Sequence, residues 1–588
     1  MKAAKERKRI TPNYISTGKL LSVVLALTLT ALVLIARLVY LQVVKHNYYS
    51  DEAQDMQLKK VELKANRGKI VDSRGVLLAT NSKSLTIAVD PQIVARNPAK
   101  RKKFIELLSK ITNTPESYYL KKISDTSIRY VILAKNVPIN YKEDINSLDF
   151  FGVRVDEVLE RIYLYDNLAA HLIGFTNSDG FGISGIEYQY DSLLRGTPGY
   201  MFFKRDLKRN FHAGAELPSI KPTDGYNVEL TINSDLQNIV EYELKKGIEN
   251  TQADAGSVIV IDPNTGEILA LASAPSYNPN NLSERRPELV RNRAINDEYE
   301  PGSTFKMITA AAALEEKLVY PDQMFSGYGG VYQVQGSTIR DVHGLGNITF
   351  RQAIEHSSNI VFAQVAAKIP KKTFYKYIRD FGFGLLTDIE LPGEARGYIP
   401  KPENITITLQ RYIGFGYGIS TTPLQILAAY CAAANGGILI KPYLVKSIFD
   451  NDGNFIFKAK PKKIRRVISK ETSDLIKELF TGIVDRGTGK AVKISNLKIA
   501  GKTGTSQQLV DGTYSKSKYN ASFIGFFPVE NPQIAMIVVL DNPKGNYYGG
   551  TTAAPIFRNI ALRIVNSSDI LAKASTTLNP IELKTQNK

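Results

Sequence analysis

One uninterrupted apolar stretch near the amino terminus constrains this chain more than any other feature. From Leu20 to Ala36 the sequence carries no charge and consists mainly of Leu, Val and Ala, and up to Val44 the only charge is Arg37. Arg37 is close enough to the end of the stretch to extend its charged group toward a membrane surface. About 20 mainly apolar residues suffice to cross a membrane. The sequence therefore predicts a transmembrane anchor over residues 20–44.

The residues that flank the anchor predict its orientation. Residues 2–9 hold five cations against a single acid, Glu6, and this excess predicts a cytoplasmic tail over residues 1–19. A cleaved signal peptide is the alternative, but the apolar run is long and no small-x-small cleavage site follows it. Later apolar runs, such as Ile534–Leu540, are too short to span. We therefore expect a single-pass protein of the cytoplasmic (inner) membrane, with the rest of the chain outside the cytoplasm.

Charge and composition exclude several classes of function. Lys and Arg number 75 against 57 Asp and Glu, a formal charge of +18, which favours an anionic partner such as a membrane surface or an acidic polymer. The cations are spread without a zinc-finger or basic-aromatic pattern, so we predict no nucleic-acid binding. The five histidines lack metal-ligand spacing and Cys431 lies alone in an apolar run, so we predict no metal, cofactor or disulfide.

The length of 588 residues requires several domains. Residues 45–225 carry short strand signals such as Leu85–Val89 and turn glycines, but no nucleophile beside a base. They are predicted to form a non-catalytic pedestal of the dimerisation type. A Pro- and Gly-containing stretch, 218–225, predicts the boundary to a second domain over 226–565, and the polar residues 566–588 predict a flexible tail.

The second domain is predicted to have an α+β fold. Its strand signals are Val228–Ile232, Val258–Ile261, Ile268–Leu271, Phe523–Phe527 and Ile534–Leu540. A helix capped by Ser234 follows the first of these and carries an apolar face. Because strands at both ends bracket a long helical middle, we expect an antiparallel sheet flanked by helices.

The pattern Ser-x-x-Lys occurs four times, so the string alone identifies nothing. The matches are Ser16–Lys19, Ser303–Lys306, Ser495–Lys498 and Ser515–Lys518. Context favours Ser303, because a Pro-Gly break precedes it and a run of strong helix formers follows up to Leu314. We therefore predict Ser303 at a helix start, with Lys306 one turn later on the same face.

A serine and a lysine in this arrangement can serve as nucleophile and base. The helix dipole favours negative charge in the first turn and disfavours a protonated lysine there. A lysine that is desolvated beside another cation can lose its proton near neutral pH. The plainer alternative is a capping serine with a solvated lysine.

Two further motifs indicate a catalytic site only in combination with Ser303–Lys306. In Ser357-Ser358-Asn359, Ser357 could relay a proton and the Asn359 amide could hold a substrate backbone, although a Ser/Asn cluster at a helix end is the plainer reading. In Lys502-Thr503-Gly504-Thr505, Lys502 and the hydroxyls of Thr503 and Thr505 could bind a carboxylate from an edge strand.

Gly504 would let a substrate backbone approach closely, and a backbone N–H of this strand, with that of Ser303, would form an oxyanion hole. A polar strand end is the plainer reading of Lys502–Thr505. Order and spacing favour function, because the motifs follow one another at intervals long enough to bring three elements around one cleft. This combination is typical of penicillin-binding proteins and serine β-lactamases.

Over nearly its whole length the chain resembles a class B penicillin-binding protein, most closely the division-specific (septal) peptidoglycan transpeptidase. Beyond the three motifs, the segments that carry the resemblance are Asn292–Ile295, Glu300–Gly302, Gly416–Gly418, Thr422–Gln425, Tyr547–Gly550, Ala554–Pro555, Arg67–Gly68 and Gly185–Glu187. One departure lies in the pedestal: Arg161-Ile162-Tyr163 is followed by Leu164, where the family often has proline.

The resemblance implies a serine-type D-Ala-D-Ala transpeptidase that cross-links peptidoglycan stem peptides and is a target of β-lactams. Ser303 would attack the penultimate D-alanine carbonyl and expel the terminal D-alanine, and an amine of a neighbouring stem would resolve the acyl-enzyme. Lys306 would be the base and Ser357 the relay. Asn359, Thr503 and Thr505 would hold substrate, with Lys502 attracting its terminal carboxylate.

The resemblance also implies partners, namely a multi-spanning glycan polymerase of the SEDS type and other division proteins. The division role rests on the acidic lead-in Asp297–Glu300 and on modest length. An elongation-specific transpeptidase is the alternative. A β-lactamase, a β-lactam sensor or a non-catalytic protein that binds cell-wall peptides are further rivals.

Overall fold

The computed structural model describes residues 17–50, 58–205, 211–212 and 219–567. The chain divides into two compact units, the first formed by residues 1–65 and 197–223 and the second by residues 66–196 and 224–588. The predicted cytoplasmic tail lies outside the described residues up to residue 16. The predicted flexible tail lies outside them from residue 568 onward.

Strands and helices are numbered in chain order. The strands are β1 (Leu58–Leu63), β2 (Ile70–Val71), β3 (Leu77–Val89), β4 (Val131–Pro138), β5 (Val153–Tyr163), β6 (Gly199–Arg205), β7 (Phe211–His212), β8 (Ser219–Ile220), β9 (Asn227–Leu230), β10 (Ala255–Ile261), β11 (Ile268–Ala274), β12 (Met324–Ser326), β13 (Val331–Val334), β14 (Ser337–Arg340), β15 (Asn347–Thr349), β16 (Ile438–Ile440), β17 (Val445–Phe449), β18 (Phe455–Lys458), β19 (Lys463–Arg466), β20 (Ala500–Val510), β21 (Thr513–Phe527) and β22 (Ile534–Asp541). The helices include α1 (Thr17–Val39), α2 (Pro91–Val94), α3 (Pro98–Thr112), α4 (Glu116–Lys122), α5 (Lys142–Ser147), α6 (Ala170–Ile173), α7 (Gly185–Gln189), α8 (Asp191–Leu194), α9 (Ser234–Thr251), α10 (Pro287–Val290), α11 (Arg293–Asn296), α12 (Lys306–Glu315), α13 (Phe350–Glu355), α14 (Asn359–Lys368), α15 (Lys371–Asp380), α16 (Ile407–Ile413), α17 (Pro423–Ala434), α18 (Lys470–Asp485) and α19 (Ala553–Asn566).

The first unit contains the predicted anchor and a small sheet. α1 continues through a π-helical turn, Tyr40–Val44. Within the 28 residues from Thr17 to Val44 an 18-residue window has a mean hydropathy of 2.4, and no side chain of this helix is buried. Within the described part of the chain this is the one helix long and apolar enough to cross a membrane. The sheet pairs β6 with β1, β7 and β8, all antiparallel.

A five-stranded antiparallel sheet in the order β11-β10-β22-β21-β20 is the frame of the second unit. Successive residues of a strand face opposite sides, so along β10 Val258 and Val260 pack with α9 and α19, whereas Ile259 and Ile261 belong to the larger core that contains α12 and α17. Each apolar side chain buried in this way contributes about 1.5–3 kcal/mol to stability. Helices cover both faces of this sheet, and β20 lies at its edge, where the Lys502–Thr505 motif is predicted to lie.

The sequence anticipates most of this frame. The predicted strands Val258–Ile261 and Ile268–Leu271 lie in β10 and β11, and Phe523–Phe527 and Ile534–Leu540 lie in β21 and β22. Each of these two pairs forms an antiparallel hairpin. One detail is wrong: Asn233, not Ser234, caps α9, because its Oδ1 accepts from the backbone N–H groups of Asp235 and Leu236. The Ser234 hydroxyl instead donates to the buried carboxylate of Asp72 at 2.8 Å.

A second sheet of seven strands runs β18-β17-β9-β2-β3-β4, with β5 also paired to β3. Its strands come from both sides of the predicted boundary at residue 225, and β9 joins β2 in parallel. The predicted strand Val228–Ile232 is β9, and Leu85–Val89 lies in β3. The limits of the two domains stay a prediction.

The amino-terminal motifs meet in one buried ion cluster. Glu187, fully buried, accepts from Arg67 Nε and from Arg161 Nε, each at 2.6 Å, and Arg67 also reaches Asp191 at 2.7 Å. Gly68 is required beside it, because a Cβ there would lie 1.8 Å from the carbonyl oxygen of Tyr226. These residues thus fasten a strand, a loop and a helix together.

Candidate active site

Ser303 lies in a single 3₁₀ turn, Gly302–Phe305, that leads directly into α12. Gly302 has a φ of +54° and its N–H donates to the carbonyl of Gly416 at 3.1 Å. The hydroxyl of Tyr430 donates to the carbonyl of Thr304 at 2.8 Å. These contacts fix the turn on both sides of the serine, and the predicted helix start is confirmed within one turn.

Lys306 is completely buried in the first turn of α12. Its Nζ donates to the carbonyl oxygen of Ser357 at 2.5 Å, to Asn359 Oδ1 at 2.7 Å and to Ser357 Oγ at 3.2 Å. Burial disfavours the charged form and lowers the pKa of Lys306 to about 7, although the negative charge of Asp341 opposes this shift. An amine with such a pKa is partly unprotonated at neutral pH.

Ser357 connects the motifs. It lies between α13 and α14 with a φ of +59°, in the left-handed region that non-glycine residues rarely adopt. Its Oγ donates to Ser303 Oγ at 3.1 Å and accepts from Lys306 Nζ and from Lys502 Nζ. The strained backbone therefore aims one hydroxyl at the serine and at both lysines.

Asn359 begins α14 and uses both ends of its amide. Oδ1 accepts from Lys306 Nζ, and Nδ2 donates to the carbonyl of Arg340 at 3.0 Å. In this structure the amide therefore positions the lysine. Its predicted part in holding substrate stays a prediction.

Asp341 is a functional residue that the sequence reasoning missed. Its carboxylate accepts from Ser358 Oγ at 2.6 Å and from the backbone N–H groups of Asn359 and Ile360 at 2.5 and 3.1 Å. It thus caps α14 and holds the loop that carries Ser357. No local pattern marks it, because it lies 16 positions before Ser357 in the sequence (357 − 341).

Lys502 comes from β20 and is 1% exposed. Its Nζ donates to Ser357 Oγ at 2.8 Å and to the carbonyl of Thr503 at 3.0 Å. Burial, together with the neighbouring charge of Lys306, lowers the pKa of Lys502 well below its ordinary value. Each ammonium therefore makes protonation of the other less favourable.

The rest of the β20 motif shapes the strand edge. Thr503 Oγ1 lies 3.0 Å from Thr488 Oγ1, and Thr505 Oγ1 accepts from the N–H of Gly549 at 3.1 Å. A Cβ on Gly504 would lie 2.2 Å from Ser522 Oγ and 2.9 Å from Thr304 Cγ2. Glycine is therefore required for the strand to pack against the turn that carries Ser303.

The other Ser-x-x-Lys matches have no such surroundings. Ser515 lies in β21, and its Oγ accepts from the backbone N–H groups of Ser517 and Lys518. Ser495 is exposed, and its partner Lys498 pairs with Glu530 at 3.1 Å. Ser16 lies outside the described residues. The structure thus joins Ser303, Lys306, Ser357, Asn359 and Lys502 in one hydrogen-bonded cluster, with Thr503, Gly504 and Thr505 on the strand beside it.

The chain matches two family descriptions. Residues 256–562 match the penicillin binding protein transpeptidase domain, and residues 62–230 match the penicillin-binding protein dimerisation domain. All the site residues named above fall in the first of these ranges. The buried ion cluster around Glu187 falls in the second.

Curated relatives cover nearly the whole chain. Stage V sporulation protein D of Bacillus subtilis is 35% identical over an alignment of 557 residues, which covers 92% of this chain and 84% of that protein. Peptidoglycan D,D-transpeptidase FtsI of Escherichia coli is 31% identical over 552 residues, 92% of this chain and 91% of that protein. The probable peptidoglycan D,D-transpeptidase PenA of Neisseria gonorrhoeae is 30% identical over 548 residues, 93% and 92% respectively.

Solved structures share the fold. Penicillin binding protein 3 from Mycobacterium tuberculosis, complexed with aztreonam, superposes with a TM-score of 0.68 at 25% identity over 88% of this chain and 98% of that one. Penicillin binding protein 2X from Streptococcus thermophilus gives a TM-score of 0.72 at 24% identity over 88% of this chain and 82% of that one.

Proposed function

Because the chain belongs to the class B penicillin-binding proteins, we propose that it is a peptidoglycan D,D-transpeptidase that works through an acyl-enzyme on Ser303. The observation that carries this proposal is the hydrogen-bonded path from Ser303 Oγ through Ser357 Oγ to the buried amine of Lys306. Such a path supplies a nucleophile, a relay and a base in one connected cluster.

Acylation begins when Ser303 Oγ attacks the penultimate D-alanine carbonyl of a stem peptide. Hydroxyl hydrogens rotate, so once Lys306 is neutral, Ser303 can pass its proton to Ser357 while Ser357 passes its own to Lys306 Nζ. The C–N bond then breaks, and the leaving D-alanine amine takes up a proton by the reverse route. The products of this half-reaction are the Ser303 ester and free D-alanine.

Cross-linking completes the cycle. An amine of a neighbouring stem peptide attacks the Ser303 ester, loses its proton to the same relay and releases the serine. The negative oxygen formed in both halves needs donors that are already in place. We assign these to the backbone N–H of Ser303 and one N–H of β20 beside it.

Substrate binding falls to the strand edge. Lys502 would attract the terminal carboxylate, and Thr503 and Thr505 would hold it through their hydroxyls. Gly504 leaves room for the peptide backbone, while Asn359 would orient both Lys306 and the substrate. β-Lactams would acylate Ser303 by imitating the D-Ala-D-Ala end.

We further assign a topology and partners. The anchor would cross the cytoplasmic membrane once, with its basic amino terminus in the cytoplasm and Ser303 outside. By family resemblance, a SEDS-type glycan polymerase and other division proteins would work beside it at the septum. A second candidate role is cross-linking during sporulation, which the 35% identity to a sporulation protein favours.

Labelling of the full chain with fluorescent penicillin tests the chemistry. Wild type should carry a stable label, Ser303→Ala should carry none, and Ser515→Ala, a serine from another Ser-x-x-Lys match, should label like wild type. Rapid loss of the label would identify a β-lactamase, and an unlabelled wild type would refute the proposal. Depletion separates the roles: filaments support division, rounded cells elongation, and a defect confined to sporulation the second candidate.

A further inference from the structure

An exposed apolar strand that carries none of the catalytic motifs lies at the end of the seven-stranded sheet. β18 pairs with β17 alone among the described strands. Its three apolar residues are all exposed: Phe455 by 51%, Ile456 by 50% and Phe457 by 46%. Natural sheets protect such an edge, and three consecutive exposed apolar residues are unexpected unless they bind something.

The segment that follows β18 is strongly basic. Six of the nine residues from Lys458 to Arg466 are cations, and none is acidic. Three ammonium groups, those of Lys460, Lys462 and Lys463, contact no carboxylate in the part of the chain that the structure describes. By contrast, Arg465 pairs with Asp380 at 3.2 Å. We call β18 together with residues 459–466 the basic edge.

We propose that the basic edge binds an extended acidic segment of another protein, which adds as a further strand beside β18. An added strand would pair the free N–H and C=O groups of the edge. Alternate apolar side chains of that segment would cover the exposed phenylalanines, while its carboxylates would meet Lys460, Lys462 and Lys463. This inference does not rest on the transpeptidase activity.

A lipid surface could attract the same charges, but it fits the exposed strand edge less well. Unpaired backbone groups at a strand edge cost several kcal/mol each in hydrocarbon, so the strand would have to stay out of the bilayer that its apolar side chains favour. A peptide strand removes this conflict because it supplies both hydrogen-bond partners and apolar contacts. The chemistry of the edge therefore favours a polypeptide over a membrane.

The test uses the full chain in detergent and a fluorescent peptide of alternating glutamate and valine. We expect saturable binding with a Kd below about 1 mM, and this binding should weaken as salt is added. The bound peptide should also protect the backbone amides of Phe455–Lys458 from hydrogen exchange. The triple variant K460E/K462E/K463E should bind at least about tenfold more weakly. A matched variant with three exposed lysines elsewhere reversed, K371E/K372E/K401E, should bind like wild type.

Penicillin labelling of both variants checks that they fold, since none of the six lysines lies at the site. The proposal is overturned if no saturable binding occurs, if the triple variant binds like wild type, or if the amides of β18 stay unprotected. It is also overturned if polyglutamate without valine binds equally well, which would indicate charge attraction alone. Loss of binding to anionic lipid vesicles in the triple variant, with no peptide binding to wild type, would identify a membrane contact instead.

Discussion

Ser357 Oγ lies 3.1 Å from Ser303 Oγ and is held there by two buried lysines on its other side. Lys306 reaches it from α12 and Lys502 from β20, so three elements distant in sequence converge on one hydroxyl. A proton that leaves Ser303 therefore has one direct path into the protein. That path is open only when an amine at its end is neutral.

The rate of penicillin acylation should therefore follow the protonation of Lys306. Because burial lowers the pKa of Lys306 to about 7, the neutral base is present above that pH and disappears as the pH falls through it. We expect the second-order rate constant to fall about tenfold per pH unit below pH 6 and to level off above pH 8. Stopped-flow acylation of the full chain between pH 5 and 9 measures this.

A variant at the base and a matched lysine provide the control. Lys306→Met should lower the rate by about 10²–10⁴ and remove its pH dependence. Lys498→Met, which changes the exposed lysine of another Ser-x-x-Lys match, should leave both unchanged. A wild-type profile that is flat from pH 5 to 9 would contradict the assignment of the base.

Asp341 should influence the same profile in two separable ways. Its negative charge raises the pKa of Lys306, so Asp341→Asn, which keeps an acceptor oxygen but loses the charge, should move the midpoint to lower pH. Asp341→Ala also leaves the donors of Ser358, Asn359 and Ile360 unpaired. An unpaired buried donor costs about 1–3 kcal/mol, so its plateau rate should fall at least about tenfold. A midpoint of Asp341→Asn equal to that of wild type would exclude an effect of the charge, and equal plateau rates for the two variants would exclude an effect of the lost hydrogen bonds.

The frame and the three motifs could be read from the sequence because each rests on local signals. The helix after Ser303 follows from its Pro-Gly break and its alanine-rich run, and the hairpin strands follow from short continuous apolar runs on either side of turn residues. The choice of Ser303 among four matches rests on these local signals and on the order of the motifs. Edge placement of Lys502 follows from the same reasoning.

Long-range pairings could not be read in this way. Asp341 acts through backbone N–H groups that no sequence pattern displays. Asn233 rather than Ser234 caps α9, because the Ser234 hydroxyl donates to Asp72 instead. The motifs around Arg67 and Glu187 carried no chemical meaning until the fold joined them. These residues are visible in the sequence, but the contacts between them become known only from the fold.

Gly504 should tolerate no side chain. A Cβ there would meet Ser522 Oγ at 2.2 Å and Thr304 Cγ2 at 2.9 Å, so Gly504→Ala must push β20 away from the turn that carries Ser303. A displacement near 1 Å costs about 10²-fold in rate, and we expect that loss in penicillin acylation. The double variant G504A/S522A removes the nearest obstacle and should recover part of it. Gly346→Ala, where a Cβ meets nothing within 4 Å, should be acylated by penicillin as fast as wild type. A wild-type acylation rate for Gly504→Ala would contradict the packing argument.

Glu187 should matter for stability more than for chemistry. Its carboxylate, fully buried, balances the guanidinium groups of Arg67 and Arg161, which are 7% and 4% exposed. Glu187→Gln leaves Arg161 without its buried counter-charge, and breaking such a pair costs about 3–5 kcal/mol. Urea unfolding of the full chain should show a loss of this size, while the folded variant still labels with penicillin. Glu478→Gln, which breaks the exposed pair with Arg351, should lower the free energy of unfolding by at most about 1 kcal/mol, because solvent already screens that pair. Equal losses in the two variants would mean that the Glu187 cluster does not hold the fold together.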